Sequence, residues 1–389
     1  MIEMKRPNLL KKLLCSALPF LILLFLFLSP DLLSSKHISA QKCKFAKKAL
    51  APVGELNMGK AFGKVADYSI FENDSLFTWG SSPIKCKDGK YHIFYSRWHK
   101  KYSFNAWVTH SEIAHAVSNK ALGPYKFSDV TLPARGPAFW DGHYTHNPTI
   151  HFFEGQYYLY YAGNYGDGVN VKNGLNMTHR NNQRIGVAVA ESPYGPWKRF
   201  DKPLIDVSPD PDAHDALMMA NPSVTRMQDG KYLMVYKAVA KRKPMPFGGP
   251  VVHLCAVASR PDGPFEKMNK PIFTVPGSMF PAEDPYIWYQ DNCYYAIAKD
   301  MHGEFTKAGR SLVLFYSVDG FDWKPAKHAL VSTLGFTMKN GKQIKLTHME
   351  RPQLLIEKGI PRALFVACDS LEDGNVKHTF NAHIPLNFK

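Results

Sequence analysis

The stretch HNPTIHFFEGQYYLYYAG (residues 146–163) decides the fold, because its pattern occurs five times along the chain. In each copy a polar residue and a proline precede an apolar segment, and a short turn leads into a second segment rich in aromatic residues. Two β-strands joined by a tight turn are the expected structure of such a unit. The other copies are SSPIKCKDGKYHIFYS (81–96), NPSVTRMQDGKYLMVYKA (221–238), EDPYIWYQDNCYYAIAKD (283–300) and ERPQLLIEKGIPRALFVACD (350–369).

The repeats have a regular period. Their prolines stand 65, 74, 63 and 67 residues apart, at Pro83, Pro148, Pro222, Pro285 and Pro352. Each of the first four copies is followed by an alternating strand that ends in a turn with glycine and an aromatic residue, as in RIGVAVAESPYGPWKRF (184–200). Each unit therefore predicts a four-stranded antiparallel sheet, and five such sheets bury both faces when packed radially. The sequence predicts an all-β, five-bladed β-propeller; a β-sandwich is the alternative, which the regular period disfavours.

The last repeat has only three strands before the chain ends. The segment AFGKVADYSIF (61–71) is predicted to supply the fourth, so that both ends of the propeller close the ring and leave no edge strand exposed. We therefore assign residues 61–389 to the propeller, as the catalytic domain, and residues 41–60 to a linker.

Residues 1–40 have the pattern of a signal peptide. Four basic residues precede an apolar run at 13–28, which contains Pro19 and is short for a membrane-spanning helix. Ile38-Ser39-Ala40 is a candidate cleavage site before Gln41. This pattern predicts export to the periplasm or the extracellular space, and an uncleaved N-terminal membrane anchor is the alternative.

The net charge of +15 indicates an affinity for acidic partners, although +7 of it falls in residues 1–60. A basic surface favours a sulfated or uronic-acid-containing polymer, while a mildly basic exported protein is the plainer interpretation. Nothing in the sequence resembles a nucleic-acid-binding module. The cysteines are widely spaced and odd in number after cleavage, so neither a disulfide framework nor a zinc site is predicted.

Polar residues stand directly before the five prolines, at positions that the repeats make equivalent. In a propeller the innermost strands surround a central channel, so these residues are expected to converge at one end of it and to bind a polyhydroxylated ligand. Turn capping is the alternative role for each of them. They are Ser82, His146, Asn147, Asn221, Glu283, Asp284, Glu350 and Arg351.

Five further candidates are expected near this point. Asp141 and Asp215 lie on loops that enter the first strands of the second and third repeats. Arg97 and Lys299 end second strands, and Trp79 is placed to stack on a sugar ring. The alternatives are turn caps for the two aspartates, a core position for Trp79, and an ion pair with Glu112 for Arg97.

The five repeats, the G-x-Y-Y-L-x-Y second strands and the S-P-x-G-P-W turns resemble the five-bladed propeller glycoside hydrolases. That superfamily includes families 43, 32/68 and 117. The resemblance covers residues 60–389 and implies hydrolysis of a plant-type or algal-type oligosaccharide or polysaccharide with inversion at the anomeric carbon. It implies no cofactor, and it leaves open a Ca²⁺ or Na⁺ ion in the channel.

The resemblance transfers catalytic residues unevenly. In family 43 a general acid Glu stands two residues before the proline of a later repeat, and both Glu283 and Glu350 match that pattern. The family's general base Asp stands before the first proline, where this chain has Ser82. We therefore expect Glu283 or Glu350 as the acid, with Asp284 or Asp141 as the base or as the group that tunes the acid.

The remaining polar candidates are expected to bind substrate hydroxyl, carboxylate or sulfate groups through charge-assisted hydrogen bonds. They are Trp79, Arg97, His146, Asn147, Asn221, Asp215, Lys299 and Arg351. Two other functions fit the same fold. A glycosidic phosphorylase would cradle phosphate with His146, Lys299 and Arg351, and a carbohydrate-binding propeller without catalysis would explain the missing first-repeat Asp.

Overall fold

A computed structural model describes residues 52–171, 174–372 and 375–388. Its main sheets are five four-stranded antiparallel sheets arranged in a ring, and within four of them the strands follow one another along the chain. The predicted all-β, five-bladed propeller is therefore confirmed. The signal-peptide prediction and most of the predicted linker lie outside the described residues.

The strands of each blade are numbered from the axis outward. Blade 1 has Leu76–Lys85, Tyr91–His99, Glu112–Ser118 and Lys126–Leu132, and blade 2 has Tyr144–Phe153, Gln156–Asn164, Arg184–Ala190 and Lys198–Arg199. Blade 3 has Met218–Arg226, Tyr232–Val239, Val251–Ala258 and Glu266–Lys267, and blade 4 has Ala282–Gln290, Cys293–Asp300, Ser311–Ser317 and Lys324–Ser332. Blade 5 has Met349–Glu357, Ile360–Glu372, Asn375–Pro385 and, as its fourth strand, Ile70–Glu72.

Short elements complete the described chain. A two-stranded ribbon joins Gly335–Thr337 to Gln343–Lys345, the α-helical turns are Met58–Ala61, Trp107–His110 and Met177–Asn181, and the 3₁₀ turns are Asp67–Ser69 and Phe104–Ala106. None of the described helices is long and apolar enough to cross a bilayer. The four cysteines of the described part are free and buried.

The ring closes through strand pairing between the two ends of the propeller. Ile70 pairs with Ala382 in antiparallel register, and a further bridge joins Phe62 to Leu386. The predicted contribution of the 61–71 segment to the last blade is thus found, although only residues 70–72 form the strand.

The second strands are apolar at nearly every position because both of their faces are buried. In blade 1, Phe94 packs toward blade 2, whereas Ile93 and Tyr95 pack toward blade 5. A strand buried on both faces reads as a continuous apolar run rather than an alternating one. The aromatic-rich runs that revealed the repeats are therefore the contact surfaces between neighbouring blades.

Every first strand is interrupted by a two-residue β-bulge, whose first residue has a left-handed backbone conformation. These residues are Gly80, Asn147, Asn221, Asp284 and Arg351, with φ between 50° and 61°. In blades 2 to 5 the second bulge residue is proline. Proline cannot donate to a strand ladder and is tolerated where a bulge suspends the pairing. The prolines therefore lie inside the first strands, not ahead of them as the sequence suggested.

The bulge corrects the alignment of the first repeat. In blade 1 the register shift lies between Trp79 and Ser82, so Gly80 is the equivalent of Asn147. Ser82 occupies the place of Thr149, and its hydroxyl accepts a hydrogen bond from the Ile150 backbone N–H at 3.0 Å. The residue of blade 1 that is equivalent to Asn147 is therefore Gly80 and not Ser82, because the first repeat carries its proline two residues later than the others.

Gly80 is required by conformation and by space. Its φ of +61° favours glycine, and a β-carbon there would lie 3.2 Å from Cγ and 3.3 Å from Cβ of Arg351. The arginine side chain therefore runs across the space that a side chain at position 80 would fill.

We predict that Gly80→Ala destabilises the protein by about 1–3 kcal/mol, through left-handed backbone strain and contact with Arg351. Gly89→Ala is the matched control, because Gly89 has φ +81° and a β-carbon added to it would meet nothing within 4 Å. The measurement is chemical denaturation of both variants. Equal losses of unfolding free energy would show that Arg351 does not crowd position 80.

Candidate active site

A central cavity of about 100 Å³ opens where the first strands begin. Its wall combines aromatic side chains from blade 1 with polar side chains from the other four blades. The lining residues are Trp79, Trp98, Phe104, Trp107, His146, Asn147, Asn221, Lys237, Glu283, Asp284 and Glu350. Most of the residues expected at this point from the repeats are therefore brought together.

The bulge explains how two adjacent carboxyl groups reach one cavity. In a regular strand, neighbouring side chains point to opposite faces. Glu283 and Asp284 both line the cavity because the register shift begins directly after Glu283. Glu350 holds the position equivalent to Glu283 one blade later.

A chain of hydrogen bonds links the left-handed residues around the axis. The Asn147 amide donates to Oδ1 of Asn221 at 2.7 Å, and the Asn221 amide donates to Oδ1 of Asp284. The Arg351 backbone N–H donates to Oδ2 of Asp284 at 3.3 Å. Each of these residues is therefore hydrogen-bonded to the next one around the axis. Asp284 accepts bonds from both of its neighbours, Asn221 and Arg351.

The Arg351 guanidinium lies fully buried on the axis. Its Nη1 is 3.7 Å from Oδ1 of Asp284, and its Nη2 donates to the Asn147 carbonyl at 3.2 Å. Burial lowers the pKa of Arg351, and the neighbouring Asp284 carboxyl opposes that shift. The side chain therefore supplies a positive charge at the centre of the propeller.

The residues at the axis do not fit a channel Ca²⁺ or Na⁺ ion. A cation there would face the Arg351 guanidinium at close range, and the described side chains include no group of three or more His, Cys, Asp or Glu that could hold a metal. We therefore assign the axial position to Arg351 and derive no step through a metal.

Two lysines neutralise the glutamates of the cavity. Lys237 Nζ donates to Oε1 of Glu283 at 3.0 Å, and Lys299 Nζ lies 3.6 Å from Oε2 of Glu283 while also contacting Glu350. Burial alone would raise the pKa of Glu283, but the two ammonium groups outweigh it and lower the pKa to about 2. Glu283 is therefore held as a carboxylate.

Asp284 has the opposite electrostatic environment. Burial and the neighbouring negative charge of Glu283 raise the pKa of Asp284, to about 6, although Arg351 opposes the shift. Asp284 is thus the carboxyl group of the cavity best suited to carry a proton near neutral pH.

The aromatic side of the cavity is built on the connection between the second and third strands of blade 1, residues 100–111. Trp107 stacks on the His146 ring with centroids 4.9 Å apart, and Phe104 packs edge-on against Trp79 at 5.4 Å. Burial lowers the pKa of His146, and its Nδ1 lies 2.7 Å from the Ser111 hydroxyl. A neutral imidazole and stacked aromatic rings suit the apolar face of a sugar ring.

The structure does not bring Asp141 or Asp215 to the cavity. The Asp141 carboxylate is bound by Arg135 at 2.7 Å, by Arg199 and by the Tyr161 hydroxyl. Asp215 accepts a bond from Lys267 at 2.6 Å. These carboxylates anchor inter-blade loops, because buried charges are stable only when paired. The expected catalytic role of Asp141 and binding role of Asp215 are therefore not supported.

Arg97 also lies outside the cavity. Its guanidinium pairs with Glu112 at 2.9 Å and stacks over Phe127, 4.6 Å from the ring centroid. Arg97 therefore forms the ion pair with Glu112 that the sequence offered as the alternative to substrate binding. Trp79 does line the cavity, and Lys299 and Arg351 lie behind it, where they contact the carboxyl groups.

Sequence reasoning missed Lys237, Phe104 and Trp107 as site residues. Lys237 lies opposite Ala220 in the strand ladder of blade 3, as Lys299 lies opposite Glu283 in blade 4. The two lysines are therefore equivalent by repeat, and the alignment of the repeats could have identified Lys237. Phe104 and Trp107 belong to the connection 100–111, whose sequence is not repeated in the corresponding connections of the other blades. Their position depends on the tertiary structure alone.

Comparison with known proteins identifies the class of fold. A family 117 glycoside hydrolase of the marine bacterium Zobellia galactanivorans superposes with a TM-score of 0.57 and 19% identity, over 84% of this chain and 90% of that one. A thermostable family 43 glycoside hydrolase gives 0.54 and 14%, covering 82% and 93%. An endo-arabinase of Bacteroides thetaiotaomicron gives 0.51 and 13%, covering 84% and 99%.

No protein-family profile and no curated protein matches the sequence. The chain therefore has the five-bladed propeller fold found in glycoside hydrolases of families 117 and 43. At these identities the similarity establishes the architecture alone, because one fold hosts many activities.

We predict that the unfolding free energy of the Lys237→Met variant depends less on pH in the acid range than that of the wild type. Because the pKa of Glu283 is lowered, its ionised form contributes stability above about pH 4.5 that is lost as the pH falls toward 2. Removing one ammonium group raises that pKa, so the fall in unfolding free energy between pH 5 and pH 3 should shrink by about 1 kcal/mol.

Chemical denaturation at the two pH values provides the measurement. Lys85→Met is the matched control, since Lys85 pairs with Glu357 at the surface at 3.1 Å and does not contact Glu283. An unchanged pH difference in Lys237→Met would contradict the assigned cause of the Glu283 shift.

Proposed function

We propose that this protein is a glycoside hydrolase whose central cavity holds one sugar unit while carboxyl groups of blades 4 and 5 cleave the adjoining glycosidic bond. The observation that carries the proposal is the convergence of Glu283, Asp284 and Glu350 on a cavity with an aromatic wall. Glycoside hydrolysis needs a protonated carboxyl group for the leaving oxygen and a carboxylate that activates water or attacks carbon. The fold supports this proposal, because glycoside hydrolases share it.

The charges around each carboxyl group suggest its role. We assign the general acid to Asp284, because its raised pKa favours the protonated form that an acid needs. Glu283 contacts two ammonium groups, which hold it in the ionised form. This differs from the resemblance to family 43, which favours a glutamate as the acid.

We assign the general base to Glu350, which contacts one ammonium group, whereas Glu283 contacts two. Lys299 touches both glutamates and so fixes their positions relative to each other. We further propose inversion at the anomeric carbon, with water activated by Glu350 on the face of the sugar opposite the departing oxygen.

The central cavity itself suits a neutral sugar unit. Its three carboxyl groups face three cationic side chains, and each cation already contacts a carboxylate. The same pairing disfavours the phosphorylase alternative, because Lys299 and Arg351 are engaged and His146 has a lowered pKa. A cavity of about 100 Å³ has room for one ring, which fits a sugar of the plant or algal type at a chain end.

Carbohydrate binding without hydrolysis is the second candidate. Gly80 of blade 1 supplies no carboxylate, and Asn147 and Asn221 supply amides at the equivalent positions of blades 2 and 3. A cavity with this composition could bind sugar hydroxyl groups through hydrogen bonds alone.

We predict that Asp284→Asn and Glu350→Gln each lower kcat/KM for an oligosaccharide substrate by about 10²–10⁴-fold, the usual contribution of a general acid or base. In the wild type, kcat/KM should fall as the pH rises above about 6, because Asp284 loses its proton. In Asp284→Asn this fall should vanish from the residual activity. Glu112→Gln is the control, since its carboxylate pairs with Arg97 outside the cavity.

The assay is reducing-end release from a panel of oligosaccharides, with NMR of the first product anomer as the test of inversion. If sugars bind and no substrate is cleaved, the binding-only function is the correct one. If Asp284→Asn keeps the wild-type pH profile, the acid assignment is wrong.

We also propose export of the protein, supported by the basic and apolar pattern of residues 1–40. Expression of the full chain in a bacterial host should yield a mature protein whose N-terminal sequence starts at Gln41. A full-length chain that sediments with membranes would favour the membrane-anchor alternative.

A further inference from the structure

The strand connections fall on two faces of the propeller. All first strands begin at the central cavity, so the connections that follow second strands share that face, which we call the cavity face. The hairpin turns after first strands and after third strands share the opposite face. The described residues of the connections after second strands are 100–111, 165–171, 174–183, 240–250 and 301–310.

The net positive charge lies on the cavity face. The described residues of its connections after second strands include eight Lys or Arg against two Asp or Glu. The connections between blades on the same face contain six basic against seven acidic residues, and the opposite face contains six basic against eight acidic residues. The propeller is therefore basic on the side of its cavity and slightly acidic on the other side.

The densest basic segment is the blade 3 connection, residues 240–250. Lys241, Arg242 and Lys243 are all exposed, and no described carboxylate forms an ion pair with any of them. The backbone of the loop is held in place, because the Gly249 N–H donates to the Ala240 carbonyl at 2.9 Å. Three charges on a fixed loop make a surface that needs little ordering before it binds an anion.

Neighbouring contacts connect this loop to the cavity wall. Val239 and Val251, which flank the loop, pack in one cluster with Trp107, which lines the cavity. The Arg180 guanidinium of blade 2 donates to the Phe247 carbonyl at 2.6 Å. The residues that flank the basic loop therefore pack against a residue that lines the central cavity.

A second cavity of about 430 Å³ adjoins the first and shares Phe104 with it. Its wall includes Tyr102, Lys100 and Lys377. Lys100 Nζ lies 3.1 Å from Nδ1 of His378 and forms no ion pair with a described carboxylate. An aromatic ring beside lysines suits a sugar unit that carries an acidic group.

We propose that the cavity face binds an anionic glycan, whose carboxylate or sulfate ester groups lie on sugar units outside the central cavity. The neutral terminal unit enters the central cavity, and the acidic units beyond it contact the adjoining cavity and the 240–250 loop. The inference rests on the proposed function for the placement of the terminal unit. It extends that function by naming the class of substrate and the loops that select it.

The experiment measures binding by isothermal titration calorimetry to neutral, uronic and sulfated oligosaccharides of equal length. The test variant is Lys241→Ser/Arg242→Ser/Lys243→Ser. The control is Lys87→Ser/Lys90→Ser/Lys120→Ser, which removes the same charge from exposed positions of the opposite face. At low salt the test variant should bind an anionic oligosaccharide about tenfold more weakly than the wild type, and the control should change affinity less than about twofold.

Each outcome decides the proposal. Preferential binding of the uronic or of the sulfated oligosaccharides supports the proposal and identifies the acidic group that is recognised. Equal affinity for neutral and anionic oligosaccharides, equal losses in the two triple variants, or equal affinity for a single-stranded DNA of the same charge would overturn it.

The same measurements separate this inference from the proposed function. Binding of anionic glycans with loop-dependent affinity but no cleavage would refute hydrolysis and leave the inference standing. If neutral glycans are cleaved and neither the 240–250 loop nor salt changes the binding affinity, the proposed hydrolysis stands and the inference of an anionic substrate is refuted.

Discussion

The left-handed bulge in each first strand is the constraint on which the rest of the structure depends. It suspends strand pairing for two residues and turns consecutive side chains toward the axis, where a regular strand would present only every second one. The left-handed residues of blades 2 to 5 contact one another in turn around the axis, and Arg351 packs against Gly80 of blade 1. The hydrogen bonds from Asn147 through Asn221 to Asp284 join them into a single unit. The positions that shape the backbone are thus the ones that build the cavity.

The composition of this ring also decides the electrostatics of the cavity. Arg351 occupies the space that Gly80 leaves free and places a guanidinium beside Asp284, while Lys237 and Lys299 contact the glutamates. A buried charge is stable only when it is paired, so each cation constrains the ionisation of a carboxyl group. The raised pKa of Asp284 and the lowered pKa of Glu283, two neighbours in sequence, follow from these different surroundings.

Much of this architecture could be predicted from the sequence, because the repeat expresses a physical requirement. Second strands buried on both faces must be apolar, and bulges tolerate proline, so five apolar second strands and four bulge prolines define the blades. The convergence of Glu283, Asp284 and Glu350 follows from the equivalence of their positions. The alignment of the first repeat was wrong because Pro83 lies outside the bulge, and only strand register identifies Gly80. Asp141 and Arg97 could not be placed, because their ion-pair partners come from other strands and loops.

The closure of the ring has a consequence for how the protein folds. Blade 5 takes its outer strand from Ile70–Glu72 and its other strands from the C-terminal end, so its pairs join residues separated by most of the chain. Contacts of such long range form late, because the entropy of closing the intervening loop must be overcome first. During synthesis, blades 1 to 4 can assemble one after another, but Ile70–Glu72 has no partner strand until residues 380–382 have been made. The cavity, which needs Glu350 of blade 5, is therefore completed only after that blade has been synthesised.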